Sequence, residues 1–194
     1  STDLALLVLE GKRRNPDVKE SAEKAIATIN SIQNENEAVN SLKTNTKVVE
    51  PFVLGLNSRN GKLILISLRC LSYLAISNCI PDSKIGEIID SLYEATNTTA
   101  DIQIKILQIL PGFFQSYNKD ITGDKLSTIL NVCSTLQGAN RQPAIAHTAQ
   151  ATFTQLLDTA FEKVRSEDQQ GKEKLHEVVI DDDKTVKVAD CAFD

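Results

Sequence analysis

Tryptophan and methionine are absent from these 194 residues, and aromatic residues make up only 5% of them. That is poor material for stacking nucleic-acid bases or building sugar platforms. Histidine occurs only at His147 and His176, and neither has a His or Cys partner at a ligand spacing, so no metal site is expected. The eight glycines are scattered singly, which excludes a phosphate-cradling loop. No Gly-x-Ser-x-Gly elbow exists, and Asp181-Asp182-Asp183 lacks the alternate spacing and central glycine of a calcium loop. Carboxylates at helical spacing, such as Glu87 and Asp90, read as a solvated acidic strip. A non-enzymatic protein without a cofactor is expected.

Long apolar runs are missing too. The stretch from Leu63 to Ile76 is interrupted by Arg69 and falls short of the roughly 18 residues a membrane span needs. A basic leader followed by an apolar block is also absent at the start. The chain begins at Ser1 and holds no Met, as expected of a piece cut from a longer protein. Cys70, Cys79, Cys133 and Cys191 include no CxxC pair, and Cys70 and Cys133 stand among aliphatics at helical positions. Buried thiols in a reducing, cytosolic compartment are expected. The sequon Asn97-Thr98-Thr99 is too short to outweigh that reading.

Net charge is −5, and it is unevenly spread. Residues 1–64 carry nine Lys and Arg against eight acids, residues 65–161 six against eight, and residues 162–194 six against ten. A nucleic-acid binder would show a strong basic bias, so no nucleic-acid partner is expected.

What is present is helical rhythm, with hydrophobic residues at 41%. Thr2 is placed to cap a first helix that ends in Lys12-Arg13-Arg14. Asn15-Pro16 restarts the chain with Asn as N-cap and Pro at the first helical position, and Val18, Ala22, Ala25, Ile26 and Ile29 continue to about Ile32. A short helix with Val39 and Leu42 follows. Further helices are expected to begin near Thr46, Gly61, Asp82, Thr99, Gly123 and Ala144, the last running toward Asp168. Asp82 or Ser83 should cap after the break at Asn78 and Pro81, and Pro111 should kink its helix or end it a turn early.

Taken in pairs these helices form a weak repeat. "VVEPFVLGL", "IGEIIDSLY" and "KLSTILNVC" alternate with "LILISLRCLSYL", "IQIKILQILPGFF" and "IAHTAQATFTQLL". Their spacing is close to the period of about 40 to 47 residues of HEAT and armadillo arrays. The expected fold is all-α, an armadillo/HEAT-like solenoid of stacked helix hairpins over residues 1–168. Residues 169–194 read as a charged, loosely ordered extension.

Two surface features remain. Lys12, Arg13 and Arg14, with Lys19, could touch anionic lipid headgroups, although cations also favour a helix C-terminus. Arg59 and Lys62 form a second, smaller basic spot. Apolar positions on the outer side of the array could form a partner or dimer surface.

Three segments together suggest a family: "KRRNPDVKESAEKAI", "TKVVEPFVLGLNSRNGKLILISLRCLSYL" and "ATFTQLLDTAFEKVRSED". A basic helix end leads into Pro16, Val18, Lys19, Ala22 and Glu23, and then into Val48, Val49, Pro51 and Phe52. In order and spacing they resemble the N-terminal dimerisation and cyclophilin-binding (DCB) domain of the large Arf guanine-nucleotide exchange factors. The likeness is strongest to the monensin-sensitivity branch, which lacks the catalytic exchange domain. The resemblance implies an armadillo-like scaffold domain of a peripheral protein of Golgi and endosomal membranes, active in endosome-to-Golgi traffic. It implies self-association or docking on other segments of the full-length chain, with Dopey-type scaffolds, Arf-like GTPases and aminophospholipid flippases as partners. A protein-interaction module is the first expectation. Direct membrane binding through Lys12, Arg13 and Arg14 is the alternative.

Overall fold

A computed structural model describes residues 2–12, 14–32, 35–139, 142–169, 175–181 and 184–189. Arg13 and Cys191, both singled out above, lie outside them. Helices α1 (Thr2–Gly11), α2 (Pro16–Asn30), α3 (Glu35–Thr44), α4 (Glu50–Leu56), α5 (Gly61–Ile76), α6 (Asp82–Glu94), α7 (Ala100–Ser116), α8 (Gly123–Ala139) and α9 (Pro143–Gln169) follow in order. Residues 2–169 are therefore an all-α domain of nine helices among the described residues, with short 3₁₀ turns at Thr46–Val48 and Ala95–Asn97. Strands β1 (Leu175–Asp181) and β2 (Lys184–Ala189) come after it as an antiparallel pair, with Leu175 opposite Ala189 and an irregularity between Val179 and Asp181. The sequence reading assigns no strand to this stretch.

The helices lie in two rows. Helices α2, α4, α6 and α8 neighbour one another in one row, and α1, α5, α7 and α9 in the other. The core fills the space between: Val53 and Leu56 of α4, Ile85, Ile88 and Ile89 of α6, and Ile129 and Val132 of α8 face Leu63, Leu68 and Leu71 of α5, Ile106 and Leu110 of α7, and Leu156 of α9. These positions recur at three- and four-residue steps, so each helix turns one apolar stripe inward.

Local chemistry explains where the elements start and stop. Asn60 caps α5 by accepting the Lys62 amide at 3.1 Å. At the far end of α5, Asn78 takes a left-handed φ of 52°. The Asn78 amide donates to Ala75 at 2.9 Å and the Cys79 amide to Leu74 at 2.8 Å, a Schellman closure with asparagine where glycine is usual. Pro81 follows and itself occupies the N-cap position of α6, so neither Asp82 nor Ser83 supplies that cap. Thr2 lies within α1. Asn15 stands at the N-cap position of α2 without a side-chain cap bond, and its side-chain NH2 group makes a contact described below.

Pro111 does not end α7, which runs on to Ser116. An interior proline costs about 3 kcal/mol. Continuing the helix buries Phe113 and Phe114 and carries the chain to the buried Tyr117, and burial of large aromatics at about 1.5–3 kcal/mol each outweighs that cost.

Candidate functional site

The sequence places two basic stretches some 45 residues apart, and the fold brings them to one corner. Gly11 sits so close to α2 that an added Cβ would lie 3.2 Å from the Lys19 amide nitrogen, which makes the α1–α2 turn tight. The Asn15 side-chain amide reaches across and donates to the Ser58 carbonyl at 3.5 Å, joining the α1–α2 turn to the α4–α5 turn. Helix α1 runs antiparallel to α5, tied by Asp3 to Arg69 at one end and by Glu10 to Lys62, 3.6 Å apart, at the other.

The six candidate lipid-contact residues divide within this frame. Lys12 and Arg14 are exposed in the first turn, and Arg59 is exposed in the second with a left-handed φ of 56°. None of these three forms an ion pair with a described residue. Lys62 is held by Glu10, and Lys19 pairs with Glu23 at 3.6 Å along its own helix. Arg13 lies outside the described residues.

Sequence reasoning missed the apolar members of the surface. Leu9 is 57% exposed in the last turn of α1, beside the basic corner. Its signal is visible in "TDLALLVLEG", which is apolar all round: Leu4 and Leu7 turn inward, leaving Leu6 and Leu9 outside. At the opposite end of α5, Tyr73 and Ile76 are 63% and 71% exposed. Phe161 of α9 is also exposed.

An open groove runs between α2 and α4, lined by Asp17, Glu20, Ser21, Lys24, Lys47 and Glu50. Three of its five charged residues are held in ion pairs. Glu20 pairs with Lys24 at 2.7 Å, and the hydrogen bond and charge of Lys24 hold its carboxyl below the usual range. Lys84 of α6 bridges Glu50 at 2.7 Å and Glu87 at 2.6 Å. Partial burial opposes the Lys84 charge, but the two carboxylates outweigh it and hold the ammonium above its ordinary value. The charged and polar side chains of this lining suit the groove to polar contact.

Among the described residues no group of three or more His, Cys, Asp or Glu is placed to hold a metal ion, and His147 is exposed on α9. No described helix is long and apolar enough to cross a membrane. Cys70, Cys79 and Cys133 are unpaired and buried. Burial pushes the Cys133 thiol up to about 12. Burial, reinforced by the neighbouring Asp3, does the same to Cys70. The thiolate is the reactive species, so both should be inert in the native protein. At neutral pH, iodoacetamide is expected to leave Cys70 and Cys133 unmodified until denaturant is added, as read by peptide mass spectrometry. Rapid native labelling at either would contradict the packing around it.

The profile of one protein family, described as Mon2/Sec7/BIG1-like, dimerisation and cyclophilin-binding domain, matches residues 1–168. The chain is 34% identical over 187 residues to Protein MON2 of Saccharomyces cerevisiae, covering 96% of this chain and 11% of the yeast protein. It is 27% identical over 181 residues to the Protein MON2 homolog of Homo sapiens, covering 92% of this chain and 10% of the human protein. It is 28% identical over 171 residues to Monensin-resistant homolog 2 of Caenorhabditis elegans, covering 86% of this chain and 10% of that protein. The chain thus spans about a tenth of the length of these relatives.

Proposed function

Because the chain belongs to the Mon2/Sec7/BIG1-like family of dimerisation and cyclophilin-binding domains, we propose that it is a non-catalytic scaffold domain whose outer α5 face joins it to a second copy of itself. The exposure of Tyr73 and Ile76, at 63% and 71%, carries this reading. An aromatic and a branched aliphatic side chain one turn apart on an otherwise well-buried helix are the anchors a protein interface uses. The family description, which names dimerisation, supports the choice of a second copy.

The two rows of helices support an armadillo-like solenoid, and the end of the family match supports a domain boundary at 168, with residues 169–194 as a charged extension. Likeness to the MON2 proteins supports a place in the same class of long Golgi and endosome scaffolds, with the Dopey-type, Arf-like GTPase and flippase partners that the resemblance implies.

Mass photometry and sedimentation velocity across a dilution series test the self-association. The wild-type mass should rise toward a dimer with concentration. Tyr73→Glu/Ile76→Glu should weaken association about 30-fold or more, since an interface anchor is worth at least about 2 kcal/mol. Both side chains are exposed, so the helical circular dichroism should not change. A wild-type chain that stays monomeric, or a variant that associates as well as wild type, would sink the proposal.

A further inference from the structure

We propose that the self-association face is a reciprocal knob and notch: a two-fold axis lies across the helices at the level of Tyr73, and Ile76 of each copy seats over Gly112 of the other. This rests on the self-association reading above and adds its register, its second helix and its symmetry.

The notch is the first ground. Gly112 is half-buried inside α7, directly after Pro111, where alanine would be the better helix former. The fold itself does not require a glycine there. Its backbone is not left-handed, and an added Cβ would meet nothing within 4 Å. Gly55 shows the contrast, since a Cβ there would strike Ser67. A glycine that its own chain leaves open is suited to close approach by something outside.

Level is the second ground. Helices α5 and α7 run side by side in one direction. A Cβ at Gly61 would lie 3.7 Å from Ile102 near their starts, and the Tyr117 hydroxyl accepts the Ile80 amide beyond their ends. Equal steps from Gly61 and Ile102 bring Leu71 level with Gly112. Helical spacing puts Gly112 on one stripe with the exposed Asp101, Gln108 and Gln115, as Tyr73 and Ile76 share a stripe with Lys62 and Arg69. Knob and notch therefore look out from the same face. When α5 of one copy lies antiparallel over α5 of the other, centred on Tyr73, Ile76 comes opposite the level of Cys70. That is within one residue of the level of Gly112. The two-fold makes the same contact twice and closes the pair as a dimer.

Chemistry is the third ground. Tyr73 meets its own copy on the axis, where two rings can pack offset. Arg69, the charge on α5 nearest Tyr73, is held by Asp3, and α7 offers uncharged Gln108 and Gln115 on either side of the notch. These stripes bring no unpaired charge to the centre of the contact.

Two measurements on the 194-residue chain test the arrangement. Gly112→Leu should weaken association about five- to 150-fold in the dilution series, the cost of overpacking a filled notch. Its Tm should hold or rise, and Gly112→Ala should raise Tm by about 2–4 °C, because nothing in the monomer opposes a side chain there. The second measurement leaves the notch unfilled. In a Cys191→Ser background, Ile76→Cys mixed with Gly112→Cys should form an intermolecular disulfide under mild oxidation, and Tyr73→Cys should cross-link to itself. Unchanged association of Gly112→Leu, or no more disulfide from the mixture than from either variant alone, overturns the proposal. Self-association would then still stand on the Tyr73→Glu/Ile76→Glu result. A wild type that stays monomeric overturns both.

Discussion

Tyr117→Ala is expected to destabilise the domain by about 3–5 kcal/mol, read as a fall in the urea midpoint at unchanged slope. Two losses combine there. The ring is buried and lies 5.5 Å from that of Phe113 at a 45° tilt, so truncation opens a cavity in the α7 end of the core. The hydroxyl accepts the Ile80 amide at 2.9 Å in a buried setting, tying the α5–α6 connection to the end of α7. Burial pushes this phenol up to about 12, so it stays protonated across the physiological range. Tyr117→Phe keeps the ring and removes only the acceptor, and should cost about 1–3 kcal/mol, the penalty for a buried amide left without a partner. If the phenylalanine variant is as stable as wild type, the Ile80 amide has found another acceptor and the tie is not structural.

Gly55→Ala is the second large effect, and its interest lies in its cure. Helix α4 crosses α5 so closely that a Cβ at Gly55 would stand 2.1 Å from the Ser67 Oγ and 3.4 Å from its Cβ. Overpacking of this kind costs about 1–3 kcal/mol. The Ser67 hydroxyl is buried without a hydrogen-bond partner, so Ser67→Ala alone should be neutral or stabilising by up to about 1 kcal/mol. It also removes the atom that clashes. The double variant should match or exceed wild type, since alanine is a better helix former than glycine by about 1 kcal/mol. A thermodynamic cycle should therefore give strong coupling between the two positions. Additive effects would mean that the obstruction is backbone, not the serine hydroxyl.

Helix starts were legible wherever one residue type decides the backbone. Gly61 and Gly123 begin helices where they were expected, Asp82 does so too although Pro81 takes the N-cap position, and Pro16 opens α2. Local rules misled where a tertiary contact competes. Asn15 is a good cap by type, but its side chain makes no cap bond and its NH2 group points to the Ser58 carbonyl of another turn. Pro111 is a helix breaker by type, but the aromatics beyond it are worth more buried. The strands at 175–189 had a signal in β-branched Val178, Val179, Ile180, Thr185, Val186 and Val188, which the charged residues between them masked. Of the candidate site, the cations could be named from sequence. Which of them are free could not, because the partners Glu10 and Glu23 are assigned only once α1 lies against α5 and α2 is a helix.

The ion pairs between helices have a mechanical meaning. Asp3–Arg69 and Glu10–Lys62 join α1 to α5, and Glu50–Lys84 joins α4 to α6, so among the described residues each of them links neighbours within one row. Between the rows, and between row neighbours as well, the main adhesion is apolar. Added salt screens the first kind of contact and barely touches the second. Such exposed pairs are worth at most about 1 kcal/mol each. Ionic strength therefore acts on these three in-row contacts and leaves the apolar core, which runs both between and within the rows, nearly unchanged.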